Sequence, residues 1–340
     1  MANSLTFYAS WTKGIAEDLT ALQFIKNSQL IEGIELCNLN DDIEKICSAG
    51  VPISVHTPGM SKTANFCRDD FNEMLKGQVG QRVVEVCHMG TAPIIGFHLG
   101  YSASSMIKMA GFPNQPISGT EIHNREDLKE LLVKNIIKCE KAINDNDLTN
   151  KNIVLETMDY CRSTEIDWGI QLPEAVKNKD IIESNLIKYG QNGALKWVTD
   201  SDFVSELMSA VNKYSIKHIG FLFDIAHNYI SWESKYKKGE IQINWEDYVI
   251  QMLEAVDGNV LQIHINSPGG DDLKGYTDSH KCLNYDDALS ENILKAAKQV
   301  IDNSKSIKVI TLEMRTWKEP QDHVKILEEQ AELVLHHINN

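Results

Sequence analysis

The sequence lacks the features that mark a disulfide-rich, thiolate-metal or membrane-spanning protein. Its seven cysteines are an odd number and no two have the CxxC spacing, which argues against a disulfide framework and against a zinc site built from thiolates. No stretch of about 18 apolar residues predicts a membrane-spanning helix, and the chain does not begin with a basic segment followed by an apolar one. We therefore expect a soluble, cytoplasmic protein that has no membrane partner.

Positive charge is also scarce. The chain has 33 Lys and Arg residues against 48 Asp and Glu, which gives a formal net charge of −15. Such a surface repels polyanions on average, so the charge balance disfavours nucleic acid as a partner, although a local basic patch would still bind it. The same charge would steer a basic peptide toward the protein.

Eight short apolar runs are predicted to be strands, and segments of helical period alternate with them. The runs are LTFYA, LIEGIEL, VPISVH, PIIGFH, NIVLE, HIGFLFD, NVLQIH and KVITLE, and the helical segments are 15–28, 41–50, 71–90, 125–145, 201–215, 245–256, 292–304 and 322–338. Strict alternation predicts a parallel sheet, either a (β/α)8 TIM barrel or a doubly wound sheet. Polar residues at nearly every strand end favour the barrel, because a doubly wound sheet concentrates its site at one switch point.

The alternation does not stop along the chain, so residues 1–340 are predicted to form a single TIM-barrel domain. Two stretches are too long for ordinary barrel loops: 100–122, which is rich in Gly, Ser and Pro, and 158–198. Both are predicted to be lids or insertions over the C-terminal mouth of the barrel.

Six of the eight runs end on His, Asp or Glu, the side chains that most often bind metal ions. The carboxyl end of a parallel strand faces the mouth of a barrel, where catalytic groups lie. Asp224 and His227 are three residues apart where strand should turn into helix, a spacing that lets both reach one cavity. Nine candidate ligands result, which suits two or three ions better than one: His56, His98, Glu156, Asp224, His227, His264, Asp278, His280 and Glu313.

Each candidate has a simpler explanation when it is taken alone. A strand-ending His can hydrogen-bond a neighbouring carbonyl, and Asp224 or Asp278 can cap a helix. These explanations must all hold together, however, and several carboxylates buried in a barrel mouth without cations would be costly. The remaining histidines lie within or beside helical patterns and are expected to be surface or packing residues: His88, His123, His218, His323, His336 and His337.

Two basic residues near the candidate ligands are weaker candidates for substrate binding. Arg315 follows Glu313 by two residues, so its side chain would share that side of the strand and could hold a carboxylate or phosphate. Lys281 lies beside His280 and could reach the mouth. An outward ion pair for Arg315 and a solvated Lys281 are the alternatives.

In their order along the chain, the nine residues resemble a pattern of the xylose-isomerase-like TIM barrels, in two metal-dense branches: endonuclease IV and the multinuclear non-haem iron-dependent oxidases. The segments LETMDY, LKWVTDSDFVSELMSAVNKYSIKHIGFLFDIAHNYIS and VITLEMR are similar to parts of the oxidase branch. The resemblance implies three ion positions: His56, His98 and Glu156; then Glu156, Asp224, His264 and Glu313; then His227, Asp278 and His280. It also implies that Glu156, Asp224 and His264 are catalytic.

The oxidase resemblance implies two or three Fe ions and the oxidation by O2 of a peptide or small thiol-bearing substrate, typically at Cys, with a peptide-recognising protein as a further partner. The endonuclease IV resemblance implies Zn or Mn and cleavage of phosphodiesters at abasic sites in DNA. This sequence departs from that branch: Gly59 and Met60 stand where wedge residues are expected, and Ser279 replaces an Arg. These departures disfavour DNA recognition, which requires positive charge.

Two further alternatives remain. The set Glu156, Asp224, His264 and Glu313 alone also resembles the mononuclear site of sugar isomerases and epimerases in the same superfamily. A binding or accessory subunit with a purely structural metal cluster belongs to a different class, and such a cluster would leave no exchangeable coordination position.

Overall fold

Eight parallel strands form a closed barrel in the computed structural model, which describes residues 5–11, 19–37, 43–56, 66, 71–91, 93–100, 106–107, 115–116, 123–158, 197–271, 275–304, 306–316 and 318–339. Each strand pairs with its neighbour in chain order, and the last pairs with the first. The predicted (β/α)8 barrel is confirmed, and a doubly wound sheet is excluded. The strands are β1 (Phe7–Trp11), β2 (Ile31–Leu36), β3 (Ile53–His56), β4 (Ile94–His98), β5 (Asn152–Glu156), β6 (Ile219–Asp224), β7 (Val260–Ile265) and β8 (Val309–Leu312).

The helices of the described residues surround the barrel. They are α1 (Thr20–Asn27), α2 (Ile43–Ser48), α3 (Phe71–Lys76), α4 (Gln78–Met89), α5 (Arg125–Asp145), α6 (Ser201–Val211), α7 (Ile225–Lys237), α8 (Trp245–Ala255), α9 (Ala288–Asn303) and α10 (Pro320–Asn339). Helix α5 begins and ends where its periodicity predicts. The single helical segment expected at 71–90 is divided at Gly77, whose backbone is extended.

The helical segments given above do not include α7, although a turn from strand into helix is expected at Asp224 and His227. Nearly all of its residues are buried, including His227, Asn228, Ser231 and Glu233, so polar and apolar side chains alternate without a clear apolar stripe. Such a stripe is the sequence signal by which a surface helix is recognised. The burial of α7 therefore explains why its periodicity did not reveal it.

The interior of the barrel is apolar at one end and polar at the other. Because successive side chains of a strand alternate between faces, residues two apart share the interior. Val154 and Glu156 on β5, and Leu222 and Asp224 on β6, are such pairs, with the apolar member nearer the start of the strand. The apolar cluster inside the barrel is Tyr8, Ile94, Val154, Leu222, Leu261 and Val309. This alternation directs the acidic residues at the strand ends into the mouth.

An antiparallel hairpin follows β7, with strands Ser267–Asp271 and Gly275–Lys281. Asp278 and His280 lie on the second of these strands. Tyr276 of this hairpin packs edge-on against Tyr229 of α7, with 5.4 Å between ring centroids. This contact attaches the hairpin to the barrel.

The two predicted lids fall mostly outside the described residues. Within 100–122, Met106–Ile107 and Gln115–Pro116 pair as a short antiparallel ladder. Of 158–198, residues 159–196 lie outside the described ranges, so the predicted insertion stays a prediction. Among the helices of the described residues, none is long and apolar enough to cross a membrane.

Candidate metal centre

The barrel brings six of the nine candidate ligands to its mouth by the way its strands end. Neighbouring strands place these residues side by side: His98 pairs with Glu156, and Asp224 pairs with His264. The last residues of β3, β4, β5 and β6 are His56, His98, Glu156 and Asp224, whereas His264 is the penultimate residue of β7 and Glu313 follows β8 directly.

These side chains form two compact groups. The ligand atoms of His56, His98 and Glu156 lie within 4.8 Å of one another, and so do those of Glu156, Asp224, His264 and Glu313. Glu156 belongs to both groups. Its Oε2 lies 2.9 Å from Nε2 of His56 and 2.9 Å from Nε2 of His98, and its Oε1 lies 3.4 Å from Nδ1 of His264. A carboxylate in this position can bridge two cations.

The third predicted set is assembled more loosely, through Asp278. One oxygen of Asp278 lies 2.7 Å from Nε2 of His280, and the other lies 3.7 Å from Nε2 of His227. In the described part of the chain, these three residues do not form a group as compact as the other two. Nδ1 of His227 donates to the carbonyl of Thr157 over 2.9 Å, which leaves its Nε2 facing Asp278.

His280 has an unusual backbone. Its φ of 51° lies in the left-handed region, which non-glycine residues rarely adopt and which costs about 1–3 kcal/mol. The backbone N–H of Arg315 donates to the carbonyl of His280 over 2.9 Å, so the loop after β8 helps to hold this conformation. Such strain is concentrated at functional sites, where the surrounding structure maintains it.

Asp224 has two roles at once. Its Oδ1 accepts from the backbone N–H of His227 over 2.7 Å and so caps α7. Its Oδ2 is buried without a hydrogen-bond partner and lies 3.6 Å from Nδ1 of His264. The helix-cap explanation therefore holds for one oxygen and leaves the other to the metal centre. Asn228 fixes this corner, because its Nδ2 donates to Thr157 Oγ1 and to the carbonyl of Asp224, both over 2.7 Å.

The carboxylates and histidines in the mouth shift one another's pKa values. Burial raises the pKa of Glu156, but His98 and His56 outweigh it and hold that pKa well below its usual value. Burial likewise opposes the shift at Glu313, where His280 and His264 lower the pKa to about 2. For His264, burial lowers the pKa, yet Glu35 and Glu313 raise it well above the ordinary range. The carboxylates thus attract positive charge, which divalent ions would supply in exchange for protons.

The residues present fit bound cations on three further grounds. Asp224 Oδ2, His264 Nδ1 and His280 Nδ1 are buried and have no hydrogen-bond partner, a state that costs about 1–3 kcal/mol for each atom. Among the described residues, no Lys or Arg forms an ion pair with Glu156, Asp224 or Glu313. A Cβ on Gly96 would lie 2.9 Å from Cδ2 of His56, so glycine gives that ring its space.

One buried residue of the site was missed in the sequence. Glu35 of β2 is fully buried, and its Oε1 lies 2.8 Å from Nε2 of His264. Its signal was available, because Glu35 is a charged residue near the end of the predicted strand LIEGIEL. Glu35 is the penultimate residue of that run, which ends on Leu36, so the pattern of run-ending ligand residues does not include it.

The remaining candidates lie away from the two groups. Arg315 and Lys281 are exposed, and their role in substrate binding stays a prediction. None of the six other histidines belongs to either group. His88 and His336 are exposed, whereas His323 lies on α10 and is buried. These positions agree with surface and packing roles for the three residues.

Comparisons with known proteins support the fold. No protein-family model and no curated protein matches the chain. A xylose isomerase-like TIM barrel protein from Mycobacterium smegmatis, in complex with magnesium, aligns with a TM-score of 0.56 at 10% identity over 98% of each chain. The 3-keto-D-glucoside 4-epimerase YcjR from E. coli aligns with a TM-score of 0.54 at 11% identity, over 97% of this chain and 100% of the epimerase chain. A D-tagatose 3-epimerase-like protein aligns with a TM-score of 0.54 at 15% identity, over 98% of this chain and 100% of the other.

These likenesses support the TIM-barrel fold, and one of the neighbours is a xylose isomerase-like TIM barrel. At such low identities they establish the fold and not the reaction. The resemblance to the iron-dependent oxidase branch stays a prediction.

Proposed function

We propose that the protein is a multinuclear iron-dependent oxidase that uses O2 to oxidise a peptide or small thiol-bearing substrate at sulfur. The observation that carries the proposal is the shared carboxylate of Glu156, which joins two ligand groups of different composition. His56, His98 and Glu156 are two histidines and one carboxylate, the ligand set that holds non-haem Fe(II) in oxygenases and leaves positions open. The adjoining group is richer in carboxylates, which suits a second iron.

The roles of the chain's own residues follow from their positions. His56 and His98 would hold the first ion, Asp224, His264 and Glu313 the second, and Glu156 both. His227, Asp278 and His280 would hold a third. Bound iron would supply the redox chemistry that amino-acid side chains lack.

The protein around these residues limits access of water and positions the substrate. Of the nine ligands, Asp278 has the most exposed side chain, at 15%, and the hairpin strand Gly275–Lys281 borders the mouth on one side. Arg315 and Lys281 are exposed beside that strand, where either could hold a carboxylate of a peptide. The net charge of −15 would favour the approach of a basic peptide.

A hydrolytic function is the second candidate, with Zn or Mn and a phosphodiester substrate. The same shared carboxylate favours it, because two-metal hydrolases also place a bridging ligand between their ions. Recognition of a DNA backbone requires positive charge, which the net charge of −15 disfavours. Epimerisation of sugars is the activity named for two of the structural neighbours. It would need only the second ligand group, so it would give no metal-binding role to His56, His98, His227 and His280.

The test is O2 consumption by protein purified without oxygen and reconstituted with Fe(II). We expect uptake of O2 that requires both iron and a thiol-bearing peptide or small thiol, and that His56→Ala abolishes. The exposed His88→Ala is the matched control and should retain activity. Iron-loaded protein that neither consumes O2 with any thiol nor changes its absorption on thiol binding would refute the proposal. Cleavage of abasic-site DNA with Zn or Mn, lost in Glu156→Gln, would establish the hydrolytic alternative instead.

A further inference from the structure

A buried carboxylate lies directly beneath the metal centre. Glu35 of β2 is fully buried inside the barrel. Its Oε2 accepts hydrogen bonds from two neutral donors, the Nε2 amide of Gln262 and, over 3.4 Å, the hydroxyl of Thr311. Its Oε1 lies 2.8 Å from Nε2 of His264 as an ion-pair contact that lacks hydrogen-bond geometry. The same Nε2 lies 3.4 Å from the amide nitrogen of Gln262, which donates to Glu35 Oε2 and Thr311 Oγ1. Among the described residues, Glu35 forms an ion pair with His264 and with no other residue.

Burial makes the contact with His264 energetically significant. A carboxylate removed from water costs several kcal/mol unless it is paired and hydrogen-bonded. Two neutral donors satisfy one oxygen of Glu35, and the imidazole faces the other. The carboxylate charge of Glu35, 2.8 Å from Nε2, therefore favours a proton on that nitrogen of His264.

That proton decides which nitrogen of His264 is left for a cation. Nδ1 of His264 faces the other members of its group, at 3.1 Å from Glu313 Oε2, 3.4 Å from Glu156 Oε1 and 3.6 Å from Asp224 Oδ2. An imidazole binds a metal through a nitrogen without a proton, and the partner of its other nitrogen fixes which one that is. A proton held on Nε2 leaves Nδ1 available.

We propose that Glu35 is a positioning residue of the metal centre: it keeps the proton of His264 on Nε2 and so strengthens binding of the ion held by Glu156, Asp224, His264 and Glu313. The inference rests on the proposed metal centre but not on the reaction that the centre performs. Glu35 contacts His264 from the side opposite the ligand group, so it acts through the imidazole and not on the substrate.

His227 shows the same principle with a weaker partner. Its Nδ1 donates to the neutral carbonyl of Thr157 over 2.9 Å, which leaves Nε2 for the third ligand set. A full negative charge on Glu35 makes the imidazole of His264 a stronger electron donor than a neutral carbonyl makes that of His227. We therefore expect the ion bound through His264 to be held more tightly than the ion bound through His227.

Glu35→Gln tests the inference, because it removes the charge and nearly preserves the shape. The Nε2 amide of Gln262 donates to one oxygen of Glu35, so the introduced amide would keep its oxygen there and turn its NH2 group toward His264. That group donates, which would favour a proton on Nδ1 and block the cation. We expect the affinity of one ion to fall by about 10–100-fold, the usual effect of removing such a partner.

The measurement is titration of metal-free protein with Co(II), whose visible absorption reports the ligands of the ion. Glu35→Gln should weaken the binding of one Co(II) ion and change the visible absorption spectrum of that ion. Glu35→Asp retains the charge at a greater distance and should give an intermediate affinity; it also carries the test if Glu35→Gln does not fold. Unchanged affinity and spectrum in the folded variants would overturn the inference.

Glu140→Gln is the matched control for a purely structural role. Glu140 is also a buried carboxylate against a histidine, with Oε1 2.8 Å from Nδ1 of His218 and hydrogen bonds from the backbone N–H groups of Lys217 and His218. Glu140 lies on α5, and its carboxylate contacts the residues that precede β6, at the end of the barrel away from the mouth. The variant should therefore lose stability and keep its Co(II) affinity. If Glu35→Gln behaves in the same way, Glu35 is merely structural.

The outcomes also separate this inference from the proposed reaction. Wild-type protein that binds Co(II) with the expected response to Glu35→Gln, but consumes no O2 when loaded with iron, would refute the oxidase and support the role of Glu35. Wild-type protein that binds no divalent ion would overturn both.

Discussion

Oε1 of Glu156 lies 3.4 Å from Nδ1 of His264, while the other oxygen of the same carboxylate faces His56 and His98. One side chain therefore connects two groups of ligands that come from five neighbouring strands, β3 to β7, and from Glu313 directly after β8. The connection follows from the register of the sheet, because β5 lies between β4 and β6 in the barrel. Loss of Glu156 should consequently affect both ion positions.

Metal content should reveal this shared role. Glu156→Gln removes a ligand from both groups, so we expect it to lower the number of ions bound per chain by more than Glu313→Gln, which removes a ligand from the second group alone. The measurement is elemental analysis of each reconstituted variant after removal of free metal. Equal losses in the two variants would contradict the bridging role of Glu156.

The space beside His56 gives a second prediction. A Cβ on Gly96 would lie 2.9 Å from Cδ2 of His56 and 3.4 Å from the carbonyl of Val55, so Gly96→Ala should displace the imidazole from its group. We expect loss of the first ion together with a destabilisation of about 1–3 kcal/mol, the usual cost of overpacking. The checks are metal analysis and denaturant unfolding.

Gly220→Ala is the control for that substitution. Its Cβ would lie 2.6 Å from two side-chain carbons of Leu261, which belongs to the apolar cluster inside the barrel. This variant should be destabilised to a similar degree and still bind the full number of ions. Loss of metal in both variants would show that overpacking, and not the position of His56, is responsible.

The sequence predicted the barrel and its ligands because both depend on local signals. His56, His98, Glu156 and Asp224 each end a strand, and the alternation of faces then determines that they enter the mouth. Glu35 was missed because its importance depends on His264, a residue far away in the chain that only the closed barrel brings near. Helix α7 was missed because burial on all sides removes the apolar stripe.

Removal of metal should loosen the hairpin more than the barrel. Asp278 and His280 lie on the hairpin strand Gly275–Lys281, whereas His227 lies on α7, so an ion shared by these residues would hold the hairpin to the barrel. Chelation should therefore increase amide hydrogen exchange in residues 275–281 by more than in α5, which carries no candidate ligand. Equal exchange in the hairpin with and without metal would argue against the third ion position.

His323 provides a prediction about pH that does not involve the metal centre. Burial lowers the pKa of His323 from its ordinary value of 6.5 to about 4. Its Nδ1 lies 2.6 Å from the hydroxyl of Thr316, and its Nε2 is buried without a hydrogen-bond partner. The folded protein therefore keeps this imidazole neutral over a pH range in which the unfolded chain protonates it.

The sign of the effect follows from proton binding. Between pH 6.5 and about 4 the unfolded state binds the proton of His323 and the folded state does not, so the free energy of unfolding falls as the pH falls through this range. The loss at the acid end is at most about 3 kcal/mol. His323→Asn can retain the hydrogen bond to Thr316 but cannot be protonated, so it should lose less stability than the wild type between pH 7.5 and pH 5, both measured by urea unfolding of metal-free protein. The control variant His88→Asn changes an exposed residue and should lose as much stability between pH 7.5 and pH 5 as the wild type. If His323→Asn also loses as much stability as the wild type, His323 does not contribute to the pH dependence.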